Sequence, residues 1–134
     1  MAADGPHGWE LGLEWIDSAD EKTAAAGWGT LASWVSVRDD SDLDIPAVRA
    51  LLQRVQTTIH DQPDRVRLKM NGFVISVGCY VEELMDEALQ VGEQTGTLKV
   101  NMRKTNCKVP SAPEYIRKVA SMGRTGKKRK MARC

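Results

Sequence analysis

A chain of 134 residues with 42% hydrophobic and 28% charged side chains has the length of one ordinary domain, and this balance excludes the collagen-like, disordered and membrane-embedded classes. No stretch approaches the roughly 20 apolar residues that span a bilayer, and the segment from Met1 to Glu10 lacks the basic and apolar regions of a secretory signal, so a cytoplasmic protein with no membrane partner is expected. The net charge of +1 hides an asymmetry: residues 1–98 carry 17 acidic and 7 basic side chains, whereas residues 99–134 carry 1 and 12, which suits one surface to a polyanion or two ends to head-to-tail packing.

Trp9, Leu13 and Ile16 fall at i, i+4 and i+7, widened by Leu11 and Trp15, and predict a helix over about 8–18. Asp20 is the expected N-cap of a second helix, about 20–36, in which Ala24, Trp28, Leu31 and Val35 form the apolar stripe. Gly27 and Gly29 in its interior imply close approach of a neighbouring helix. The acidic loop from Arg38 to Asp44 ends that helix and supplies Asp44 as the next cap. Pro46 in the first turn, with Ile45, Val48, Leu52, Val55 and Ile59, marks a third helix over about 45–60.

After the break at Asp61-Gln62-Pro63, Asp64 is expected to cap a fourth helix, about 64–78, carrying Val66, Met70, Phe73, Val74 and Val77 and closed by Gly78. Glu82 and Glu83 favour the start of a fifth, about 81–95, with Val81, Leu84, Met85, Ala88 and Val91 facing inward and Gly96 ending it. Residues 97–110 read as an irregular connector with a short extended piece at Leu98–Val100. Ser111 and Glu114 form a capping box for a sixth helix, about 111–122, stopped by Gly123. The stretch 124–134 has six basic and no acidic residues and reads as a flexible tail, beyond a single domain at 1–123.

Six helices with short links suggest three antiparallel pairs, 8–18 with 20–36, 45–60 with 64–78 and 81–95 with 111–122. Their spacing of about 35–40 residues fits an all-α, HEAT-like right-handed solenoid, with a compact bundle as the competing fold.

Cys79, Cys107 and Cys134, with His7 and His60, lack metal-ligand spacing, so reduced thiols and no metal are expected. No phosphate loop, nucleophile elbow, dinucleotide fingerprint or zinc-protease motif occurs. His60 is expected to meet the carbonyl end of its helix rather than act as a base. The four tryptophans read as core, Trp34 being the one expected to be exposed. The strongest functional signal is basic: Arg65, Arg67 and Lys69 at the start of the fourth helix, Lys104 and Lys108 in the connector, and Lys127, Lys128, Arg129 and Lys130 in the tail. Such residues neutralise phosphates and release counterions.

The segments Ala25–Leu31, Ile59–Arg67, Met70–Ile75, Thr105–Pro110 and Gly126–Lys130 resemble the C-terminal half of the AlkD-like DNA alkylation repair proteins. The resemblance implies a HEAT-like solenoid with duplex DNA on its concave face, neither metal nor cofactor, and relatives that excise cationic alkylated purines. In their mechanism a carboxylate and two aromatic rings stabilise the charge that develops on the sugar.

The resemblance places Phe73 where active members carry a tryptophan facing the lesion, and Ala24–Trp28 where they carry an arginine. The helix with the catalytic aspartate would precede residue 1. The expectation is therefore a DNA-binding protein without excision activity in isolation, completed by a missing N-terminal half or by self-association along Trp9, Leu13 and Ile16. A rival register lays Trp15, Asp17 and Asp20 on the catalytic motif and makes Asp17 the carboxylate. The other reading of the chain is a self-associating protein-interaction module with no DNA role.

Overall fold

The computed structural model describes residues 7–96 and 111–123 together with Thr125, Gly126 and Lys128. Six α-helices occur among them: α1 (Gly8–Trp15), α2 (Glu21–Val37), α3 (Ile45–Thr58), α4 (Asp64–Tyr80), α5 (Met85–Thr95) and α6 (Ala112–Ser121). No strand is present among the described residues, and the extended piece expected at Leu98–Val100 lies outside them.

Local chemistry sets most boundaries. The Asp20 carboxylate accepts from the Thr23 N–H at 3.1 Å, Asp44 from the Ala47 N–H at 3.2 Å and Ser111 from the Glu114 N–H, so three expected caps are made. Asp64 is instead the first residue of α4, preceded by Pro63 at the cap position, and its carboxylate is held by Arg67. Helix α1 stops at Trp15 because the N–H groups of Asp17 and Ser18 turn back onto the carbonyls of Glu14 and Trp15. The 3-10 turns at Asp40–Asp42, Ile59–Asp61 and Glu82–Leu84 fill links that periodicity assigns to loop or helix.

The antiparallel pairs follow one another along the chain, but the most extensive packing is between successive repeats, α2 on α4. Trp28 of α2 and Phe73 of α4 form the centre of that contact, and α4 continues onto α6. On the other layer α3 packs on α5. There the Arg49 Nε donates to both Glu87 carboxylate oxygens at 2.9 and 2.8 Å, and Gln56 bonds Gln94, both pairs 38 residues apart. Two contacts seven residues apart with one offset mean parallel helices in register, so the repeat is 38 residues on this layer. This is a HEAT-like repeat fold.

The core runs continuously through the stack, from Ile16, Trp28, Leu31 and Val35 through Val48, Leu52, Met70, Phe73 and Val77 to Leu84, Ala88 and Ile116. Glycines let the helices close in. A Cβ on Gly27 would lie 2.8 Å from the Ile16 backbone nitrogen, and one on Gly78 would overlap the Ile116 side chain. Gly78 therefore does not end α4, which runs on to Tyr80. Ile16 itself is only 6% exposed, and Trp9 and Leu13 pack against the core, so the flank expected to drive self-association is largely covered by α2.

Candidate functional site

The N-terminal halves of the parallel helices α2 and α4 bring together three cations. Lys22 and Lys69 are exposed and Arg65 is half-buried. Lys22 and Arg65 both act on Asp20, whose carboxyl is held below the ordinary carboxylate range. The Thr23 hydroxyl bond of 2.7 Å contributes most, then the Thr23 backbone bond, and the two cations add to it. Lys69 crosses the α2–α4 seam over a missing side chain, since a Cβ on Gly29 would meet the Lys69 Cδ at 3.8 Å and Nζ at 4.0 Å. Gly72, one turn along α4, has nothing within 4 Å of its Cβ position. Lys69 thus lies over Gly29 on one side and has open space at Gly72 on the other.

Of the other basic residues singled out from the sequence, Arg67 is used internally. Its Nε donates to the Gln62 carbonyl at 2.9 Å and its terminal nitrogen to Asp64 at 3.0 Å, closing the start of α4. Lys128 is also engaged. Its ammonium donates to the Val35 carbonyl at 3.0 Å and pairs with Asp40 at 2.7 Å, leaving the side chain 14% exposed. Two residues earlier, the Gly126 N–H donates to the Cys79 carbonyl at 2.8 Å. Part of the segment expected as a flexible tail is therefore docked across the carbonyl ends of α2 and α4. Lys104, Lys108, Lys127, Arg129 and Lys130 lie outside the described residues.

The aromatic and acidic candidates take other roles. Phe73 is 0% exposed, with its ring edge-on to Trp28 at 5.4 Å between centroids, so it offers no face to a ligand and the lesion-facing position expected of it is not met. Asp17 is exposed but joins α1 to α3 through a 2.7 Å pair with Arg54, which makes it a link between helices rather than a carboxylate held free in a cleft. His60 is exposed in the turn after α3. Trp34 is half-buried, its ring 6.4 Å from Trp9 and 4.2 Å beneath the Arg38 guanidinium. Among the described residues no cluster of histidine, cysteine or acidic side chains is arranged to hold a metal, and no helix is long and apolar enough to cross a membrane.

Sequence reasoning missed Lys22, an isolated lysine whose relation to Arg65 exists only once α2 lies beside α4. The glycines were the available signal, since Gly29 marks where the partner helix sends a long side chain across.

The whole chain is similar to a solved structure described as a new family of proteins related to the HEAT-like repeat DNA glycosylases with affinity for branched DNA structures. The TM-score is 0.89 at 28% identity, over 99% of this chain and 57% of that one. Uncharacterized protein Lin0241 of Listeria innocua is 35% identical over 105 residues, 78% of this chain and 44% of its own length. Uncharacterized protein Lmo0209 of Listeria monocytogenes is 34% identical over 104 residues, 78% and 43%. The chain thus spans a little under half the length of these curated relatives. No family model matches it.

Proposed function

We propose that this protein binds DNA, in duplex and branched forms, through the phosphate backbone, and that it does so without excising bases. The observation that carries this reading is the likeness, over nearly the whole chain, to a HEAT-like protein with affinity for branched DNA. The seam of α2 and α4 supplies the chemistry: Lys22, Arg65 and Lys69, with Lys69 laid over Gly29 and open space at Gly72. Exposed cations attract any phosphate chain and read no base edges, which gives affinity without sequence preference. Excision is left out because Phe73 is enclosed and Asp17 is committed to Arg54.

A fluorescence titration with labelled linear duplex, forked duplex and four-way junction tests the reading. The expected result is binding to all three that weakens steeply with salt, with a slope of about 0.9 per neutralised phosphate, and no release of 7-methylguanine from alkylated duplex. Absence of binding at low salt would overturn it. Robust base release would restore Asp17 as a catalytic candidate.

A further inference from the structure

The inner layer of α2, α4 and α6 leaves one stripe of each helix open. On α2 the stripe is Lys22, Ala26 and Gly29, and on α4 it is Arg65, Lys69 and Gly72, both at i, i+4 and i+7. Helix α4 is flanked by α2 and α6 and backed by α5, so this is the side left to it. Helix α6 begins where α5 ends: a Cβ on Gly92 would lie 2.9 Å from the Pro113 Cδ, and Arg117 pairs with Glu93. Its Ile116 reaches across to Gly78 of α4. At about 100° per residue, Tyr115 and Met122 point about 140–180° away from Pro113 and Arg117. They therefore face away from α5, on the side where α2 and α4 carry Lys22, Arg65 and Lys69.

Tyr115 and Met122 are the exposed large apolar side chains among the described residues, at 47% and 50%, and the exposed Lys118 lies between them on the same stripe. One apolar side chain on a surface is ordinary. Here two share a stripe with a cation between them, and the stripe continues the cationic face of α2 and α4. We propose that Tyr115, with Met122 beside it and Lys118 for the adjoining phosphate, is a stacking platform for an unpaired nucleobase at a DNA branch point. A linear duplex turns only base edges and phosphates outward, so the cations of α2 and α4 meet it and Tyr115 has no base face to receive. A branch point interrupts the stack and leaves a base with an open face next to a phosphate, which suits an aromatic ring next to an ammonium. Charge selects this occupant over an apolar protein surface, because nucleic acid uses both the ring and the row of cations. The inference rests on the DNA-binding reading and deepens it, assigning the discrimination of branched from linear DNA to α6.

The test compares a labelled forked duplex with a linear duplex of the same sequence. Tyr115→Ala should weaken binding of the fork by at least about fivefold, the lower bound for one base stacked on an aromatic ring, and leave binding of the linear duplex within about twofold of native. The linear duplex is thereby also the control for folding. Tyr115→Phe keeps the ring and should bind the fork as the native protein does. On a fork with an abasic nucleotide at the branch point there is no base to stack, so the native protein and Tyr115→Ala should bind alike.

Equal affinity of the native protein for fork and linear duplex overturns the inference while leaving the DNA-binding reading in place. An equal loss on both DNAs in Tyr115→Ala, or a loss that persists on the abasic fork, does the same. Unchanged fork binding by Tyr115→Ala also overturns it, and if the native protein sediments as a dimer that this variant abolishes, the stripe belongs to a second copy of the chain. Failure of the native protein to bind any of these DNAs overturns both.

Discussion

Trp28 and Phe73 meet edge to face at 5.4 Å, 2% and 0% exposed, and this pair joins the inner helices of successive repeats. The indole and phenyl rings fill the space that lets α2 and α4 run side by side, which in turn places Lys22 near Arg65 and Lys69 over Gly29. The aromatic residue that resemblance assigns to the lesion thus supports the candidate site from beneath.

Phe73→Ala should accordingly destabilise the fold by about 3–5 kcal/mol, as truncation of a buried ring does. Phe73→Leu, which keeps most of the volume, should lose much less and retain DNA affinity in a titration run below its melting temperature. Selective loss of affinity in a folded Phe73→Leu protein would return the ring to the DNA interface.

The glycines of the inner helices divide by what surrounds them. Gly27→Ala forces a methyl against the Ile16 backbone nitrogen at 2.8 Å and the Trp15 Cβ at 2.9 Å, where neither atom lies at the end of a flexible chain. A loss of about 1–3 kcal/mol is expected from such overpacking. Gly72→Ala meets nothing within 4 Å and gains helix propensity, so it should stabilise by about 0.4–1 kcal/mol. Thermal melts of the two variants should move in opposite directions; a shift in the same direction would mean that helix propensity outweighs the packing at Gly27.

Much of this fold is legible in the sequence because apolar periodicity and capping chemistry are local. The stripes through Trp28, Leu52 and Phe73 face the core, and Asp20, Asp44 and Ser111 cap helices where expected. Gly78 misleads because a glycine that closes a helix and one that admits a neighbour, here Ile116, look alike in one dimension. The candidate site is less legible for a related reason. Arg65, Arg67 and Lys69 are equivalent as letters, yet Arg67 is consumed by Gln62 and Asp64 while Lys69 stands open. Lys128 reads as one of several tail cations, and only the tertiary fold brings Val35 and Asp40 to it.

The N-cap of α2 should register in acid. Because the Thr23 bonds, aided by Lys22 and Arg65, hold the folded Asp20 carboxyl below its unfolded value of 3.8, its contribution is fully present above that value and is lost as pH falls through the lower folded one. Asp20→Asn retains an acceptor for the Thr23 N–H but has no charge to lose. The melting temperature of the native protein should therefore exceed that of Asp20→Asn at neutral pH and converge on it as the pH falls through the lowered folded value. A difference that persists unchanged into strong acid would assign the stabilisation to cap geometry alone.

Lys69 and Arg67, two residues apart on α4, should separate binding from stability. Lys69 is exposed on the seam and makes no ion pair among the described residues, so Lys69→Ala should leave the melting temperature nearly unchanged. It should lower the salt slope of duplex binding by about 0.9, the contribution of one phosphate, and do so equally for duplexes of different sequence. Arg67→Ala removes a donor from the Gln62 carbonyl and a partner from Asp64, a loss of about 1–3 kcal/mol in stability, with the salt slope unchanged in the folded protein. An unchanged slope in Lys69→Ala would move the phosphate contact away from the α2–α4 seam. A reduced slope in Arg67→Ala would mean that its guanidinium exchanges Asp64 for phosphate when DNA binds.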